Sequence, residues 1–148
     1  MDDPVNQQHA HLTERILACA FDVHTRVGPG LLESTYKVCL LHRLAREGLT
    51  AEDEVPIAIE FDGQAIGTGY RADVVVEKKV LLELKAVDAL LPIHVVQALT
   101  YLKHSKLDVA LLINFNVQSL RQGIRRLYNP TRPCDRTLLT PFTRSSRL

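Results

Sequence analysis

Cysteine is scarce: the chain has three in 148 residues, with no CxxC pair. That argues against a disulfide framework and against a thiolate zinc site. Cys19 and Cys39 fall in apolar helical patterns, where a free thiol packs as a small hydrophobe, and Cys134 stands alone. Long hydrophobic runs are missing too; none approaches the roughly 20 residues of a membrane-spanning helix. The first residues, Met1-Asp2-Asp3-Pro4-Val5-Asn6-Gln7-Gln8, have neither the basic nor the apolar region of a signal peptide. A cytoplasmic location and no membrane partner are expected. Nor is there an excess of one charge. The formal net charge is +1, so the molecule as a whole is no electrostatic magnet for nucleic acid. Internal repeats and low-complexity tracts are absent.

What remains is the balance of an ordinary globular protein, 46% hydrophobic and 24% charged, with length enough for one core. One domain is expected over residues 1–128, its first 11 residues, including His9 and His11, forming a flexible start. Residues 129–148 read as a tail with Arg and Pro residues. Charge is uneven at that end: from Arg121 onward, Arg121, Arg125, Arg126, Arg132, Arg136, Arg144 and Arg147 face a single acid, Asp135. Such a segment either meets phosphates or is a solvated tail, the commoner use of a charged terminus.

Helical spacing of Leu12, Ile16, Cys19, Ala20 and Val23 predicts a first amphipathic helix to Val27, broken by Gly28-Pro29-Gly30. A second helix is expected from Leu31 to Glu47, with Leu32, Tyr36, Cys39, Leu40 and Leu44 inward and Gly48 at its C-terminal cap. The period then becomes two. Val55, Ile57, Ile59 and Phe61 alternate with Pro56, Ala58 and Glu60, predicting a half-buried strand. Asp62-Gly63 is a hairpin turn signal, with a return strand to Thr68. Strands follow over Tyr70–Val76 and Val80–Val87, joined by the polar turn Glu77-Lys78-Lys79, so an antiparallel meander is expected. Pro92 suits the first turn of a helix to about His104. Val109–Ile113 reads as a buried central strand, and Gly123–Tyr128 as an edge strand, with a short helix as the alternative. This order predicts a mixed α/β fold, one sheet with helices against it.

The chemistry concentrates in Val80-Leu81-Leu82-Glu83-Leu84-Lys85-Ala86-Val87. Charges inside so apolar a strand are costly unless paired or bound to an ion. Residues two apart share a face, so Glu83 and Lys85 point one way and Leu82 and Leu84 the other. Antiparallel pairing about Lys78 would bring Asp73 near Glu83 or its diagonal neighbour. Two carboxylates and a lysine at one point suit a hard divalent cation and a scissile phosphate; an internal ion pair without chemistry explains the same residues. On the helix after this strand, His94, Gln97, Tyr101 and His104 form one polar stripe, with Val95, Val96, Leu99 and Leu102 toward the core. Gln97 and Tyr101 could meet a phosphate or hold Lys85; a wet helix face explains them equally. Glu33 either answers the helix macrodipole or projects into the site as a third carboxylate. His24 and His94 either assist or are polar packing.

Taken together, Gly30-x-x-Glu33-x-x-Tyr36, Arg71-Ala72-Asp73, Glu83-Leu84-Lys85, His94-x-x-Gln97-x-x-x-Tyr101-Leu102 and Leu112-Ile113-Asn114-Phe115 resemble the GxxExxY proteins, a family placed in the PD-(D/E)XK nuclease superfamily. The likeness runs from about Leu12 to Tyr128. It departs at Ala72, where the superfamily name has proline. The resemblance implies a restriction-endonuclease-like αβββαβ core, a central mixed sheet flanked by helices. It implies Asp73 and Glu83 as metal ligands with Glu33 as a helix-borne acid, Lys85 as the catalytic lysine, and Gln97 with Tyr101 as supporting residues. Tyr36, Arg71 and His94 complete the motifs as candidates for nucleic-acid contact. The expected activity is hydrolysis of nucleic-acid phosphodiester bonds, DNA rather than RNA, with Mg²⁺ or Mn²⁺. The alternative is a nuclease-fold binding or accessory protein that does not cleave. A homodimer would let a single-site enzyme cut both strands, though no residue marks an interface.

Overall fold

The computed structural model describes residues 9–67 and 69–131. Helix α1 (Ala10–Val27) turns at Gly28 into α2 (Glu33–Arg46), and β1 (Ala51–Pro56) follows. A short ribbon, β2 (Ile59–Phe61) and β3 (Gln64–Ile66), precedes β4 (Arg71–Val76), β5 (Val80–Lys85), α3 (Pro92–Ser105), β6 (Val109–Asn114), a 3₁₀ turn (Leu120–Gly123) and β7 (Ile124–Tyr128). The main sheet has five strands in the order β1-β4-β5-β6-β7. β5 and β6 run parallel and every other neighbouring pair antiparallel. This is the restriction-endonuclease-like arrangement, a mixed sheet with helices on both faces. No helix among the described residues is long and apolar enough to cross a membrane.

Strand alternation sorts the core into two layers. Val74, Val76, Val80, Leu82, Leu84, Leu111 and Ile113 pack with Ile16, Ala20, Tyr36, Leu40 and Leu44 of α1 and α2. On the other face Val75, Leu81, Ala110 and Leu112 pack with Val95, Ala98 and Leu102 of α3. Gly48 ends α2 as expected, at φ +80°. Its N–H donates to Ala45 O, and the Leu49 N–H donates to Leu44 O, both at 3.0 Å, the paired bonds of a Schellman cap. Gly123 serves a close approach instead. A Cβ there would stand 2.2 Å from the Asn114 carbonyl oxygen. Gly123→Ala is therefore expected to cost about 3 kcal/mol by overpacking, read as a lower urea midpoint.

Several sequence expectations are corrected. The alternating Val55–Phe61 run is not one strand: it leaves the sheet after Pro56, and Ile59–Phe61 pairs only with β3. Between them Ile57 is buried and its N–H donates to Tyr70 O at 2.9 Å. β1 begins earlier, in Ala51-Glu52-Asp53-Glu54, an exposed polar edge that carries no hydrophobic alternation. Leu32 is 74% exposed because it is the N-cap residue, one position outside α2. Val96 is 53% exposed and faces away from the core. His11 lies within α1, and His9 precedes it with Nε2 3.2 Å from the Asp108 carboxylate, so neither sits in a loose start. The folded part also runs past Tyr128: buried Asn129 donates through Nδ2 to Leu102 O and Leu107 O, at 3.0 and 2.8 Å. The Gly123–Tyr128 segment becomes a 3₁₀ turn end followed by edge strand β7. Thr68, Cys134, Asp135 and the four arginines from Arg132 onward lie outside the described residues.

Candidate active site

β4 and β5 pair as Val74↔Leu82, Val75↔Leu81 and Val76↔Val80, a register centred on Lys78 that sets Asp73 opposite Glu83. There the ladder opens, and side chains replace backbone partners. The Asp73 N–H donates to Glu83 Oε1 at 3.3 Å, and the Leu84 N–H donates to Asp73 Oδ2 at 2.8 Å. The neighbouring edge is disturbed at the same level. Glu54, which the flanking pairs Asp53↔Val74 and Val55↔Ala72 set opposite Asp73, has φ +52°, an uncommon conformation for a residue with a Cβ. Ala72 and Val74 are two apart on β4 yet pack in opposite layers, so the strand changes face around Asp73.

Two carboxylates are thereby held together in a mostly buried place. Glu83 is 6% exposed, and its carboxyl is pushed up to about 8, first by burial and then by the Asp73 charge. Asp73 is raised by burial too, against the Leu84 N–H and the Lys85 and Lys37 charges, which lower it. Lys85 is half-buried at the end of β5, and among the described residues no carboxylate lies within 4.0 Å of its amine. The internal ion pair that could have explained these charges is therefore not formed. Glu33, the first residue of α2, is exposed as a whole. Desolvation of its carboxyl raises it, while the Lys85 charge and the Ala86 N–H pull it down.

The remaining sequence candidates separate. Tyr101 is half-buried, its hydroxyl raised by burial and then by Glu83, Tyr70 and Asp73, and its ring centroid lies 5.7 Å from that of Tyr70, three residues before Asp73. Gln97 is exposed on α3. Arg71 is exposed and donates through Nη1 to Glu54 O at 3.3 Å. His94 caps its own helix, with Nδ1 accepting from the Leu91 N–H at 2.9 Å, and His104 Nδ1 accepts from the Glu60 N–H at 3.3 Å. Tyr36 has no exposed surface and cannot touch nucleic acid. It stacks on Phe115 at 4.7 Å, and its hydroxyl donates to Gly28 O at 2.5 Å and accepts from the Leu31 N–H at 3.2 Å. His24 is held away from the site by a 2.7 Å contact to Val117 O.

Two residues without an expected role emerge. Lys37 lies 3.5 Å from the Glu54 carboxylate and 3.8 Å from that of Asp53, and its charge acts on Asp73. Its spacing of four from Glu33 puts both on one helix face, a signal the sequence offered. Asn114 is 1% exposed and grips the chain just after Lys85: Oδ1 accepts from the Val87 N–H at 3.0 Å, and Nδ2 donates to Val87 O at 2.9 Å. Asn114→Ala leaves these groups without partners and is expected to cost about 2 kcal/mol in a denaturant melt.

The donor set suits a cation that keeps most of its water. Among the described residues no group of three His, Cys, Asp or Glu side chains could hold a metal by itself, so Glu33 does not complete a cage with Asp73 and Glu83. Mg²⁺ characteristically takes only one or two carboxylates, with water and substrate oxygens completing its shell. Two adjacent carboxylates, both raised mainly by burial, match that need. A cavity of about 410 Å³ lies elsewhere, between β1, Ile57–Glu60 and the end of α3, and none of Asp73, Glu83 or Lys85 lines it.

A family model of the PD-(D/E)XK nuclease superfamily matches residues 10–127, and the chain belongs to that superfamily. Enzymes of this class generally use divalent metals. No curated protein and no solved structure is significantly similar to the chain.

Proposed function

We propose that the chain is a divalent-metal-dependent nuclease of the GxxExxY branch, hydrolysing phosphodiester bonds in DNA rather than RNA with Mg²⁺ or Mn²⁺. The observation that carries this reading is the Asp73–Glu83 carboxylate pair beside Lys85, a cation with no ion-pair partner among the described residues. Membership of the nuclease superfamily supports the reaction class, and the motifs from Gly30 to Phe115 support the branch.

Asp73 and Glu83 would hold the cation, with Glu33 reaching it through water. A bound divalent ion would polarise the phosphoryl group and lower the pKa of attacking water. Lys85 orients that water and offsets charge as the phosphorus becomes five-coordinate. Tyr101 would support the carboxylates, and exposed Gln97 and Arg71 would meet the backbone. By analogy with the superfamily the products carry a 5′-phosphate. A homodimer would extend cutting to both strands.

The test is cleavage of supercoiled, linear, single-stranded and branched DNA and of RNA, with and without Mn²⁺, beside Asp73→Ala. Metal-dependent products from the parent alone are expected. Nucleic-acid binding without cleavage under any condition would favour the accessory-protein reading, and equal cleavage by Asp73→Ala would remove the site assignment.

A further inference from the structure

The only aromatic pair that reaches the surface among the described residues stands at the candidate site. Tyr70 precedes β4, three residues before Asp73, and its ring centroid lies 5.7 Å from that of Tyr101 at an interplanar angle of 49°. Tyr101 is anchored: it packs against the α3-side core and feels the charges of Glu83 and Asp73. Tyr70 belongs to neither core cluster and is 46% exposed. Phe61 is more exposed, at 70%, but it stands on the β2–β3 ribbon with no ring partner among the described residues. The other aromatic pair, Tyr36 with Phe115, is sealed inside.

An exposed ring braced by a second ring is a stacking surface. Every base offers a π-face, but in a duplex that face is covered by its neighbours, so an aromatic side chain gains most from an unpaired base. Resting on the nuclease reading above, we infer that Tyr70, braced by Tyr101, stacks an unpaired base next to the scissile phosphate. The preferred substrate is then single-stranded DNA, including the single-stranded arm of an overhang or flap, over continuous duplex.

Binding tests this apart from cleavage. In EDTA, with Asp73→Asn as the background, fluorescence anisotropy gives the Kd for a labelled single strand and for a matched hairpin duplex at one salt concentration. Adding Tyr70→Ser is expected to weaken the single strand roughly tenfold and the duplex by less than about twofold, and Tyr70→Phe to retain the single-strand affinity. The thermal midpoint should fall only slightly, by the loss of the ring contact to Tyr101, because Tyr70 contributes to neither core cluster. Equal losses on both oligonucleotides, no loss on either, or no single-strand binding at all would overturn the inference. The parent's cleavage of the DNA panel with Mn²⁺ is read separately: if it cuts while binding ignores Tyr70, the stacking proposal alone fails. If Tyr70-dependent binding holds and nothing is cut, the hydrolytic reading fails.

Discussion

Replacing Lys85 with alanine is expected to lower DNA cleavage by about 10³-fold, the scale of losing a preorganised electrostatic group at a reacting centre. Lys85 is held at the end of β5 by backbone rather than by charge. The Phe115 N–H donates to Lys85 O at 2.9 Å, and Asn114 secures Val87 two residues on. Its amine has no carboxylate within 4.0 Å among the described residues, so the substitution breaks no ion pair and the fold should survive. Lys85→Arg keeps the charge but spreads it over a planar fork, and should recover only part of the rate. Single-turnover kinetics with saturating Mn²⁺ measure the effect, with circular dichroism confirming the fold. A Lys85→Ala protein that cuts at the parent rate would show that the lysine is not catalytic.

The second large effect concerns stability. Glu83 titrates near 4.5 when unfolded and near 8 in the metal-free fold. Below about pH 4.5 both states hold the proton and native stability is unaffected. Between about 4.5 and 8 the native state binds more protons, so stability falls as pH rises. Above about 8 both states are ionised and the loss is complete. Glu83→Gln keeps an oxygen to accept from the Asp73 N–H but cannot ionise. In EDTA it should therefore unfold with a flatter pH profile and be more stable than the parent on the alkaline side by on the order of 2 kcal/mol. It should also lose activity, so stability and function would trade at one side chain. Thermal melts of parent and variant from about pH 4 to 9 test this, and parallel curves would contradict it.

Much of this site was legible because it depends on strand arithmetic. Two apolar runs flanking Glu77-Lys78-Lys79 set a register about Lys78, and that register alone puts Asp73 opposite Glu83. Alternation likewise separated Leu82 and Leu84 from Glu83 and Lys85. Where an element is polar on both faces the signal vanishes, and so β1 was missed: Glu52, Asp53 and Glu54 lie on an exposed edge held by pairing with β4. The ribbon misled in the opposite way, since Ile59, Phe61 and Ile66 alternate like a buried strand but are not fully enclosed. Tyr36 was read as inward from its spacing with Leu40 and Leu44 and also as a nucleic-acid contact from its place in a motif; its burial fits only the first reading. Glu54 acts across strands, through a contact that no local pattern encodes, while the sequence signal for Lys37 was only its spacing from Glu33.

Calorimetric titration of Mn²⁺ into the metal-free protein, parent against Asp73→Asn, tests the central claim most directly. Binding should occur in the parent and release protons in the range below about pH 8, as the cation displaces the one held at Glu83. Asp73→Asn should lose most of that binding. Equal heats in the two proteins, or no binding in either, would contradict the assignment of Asp73 and Glu83 as the metal-holding pair.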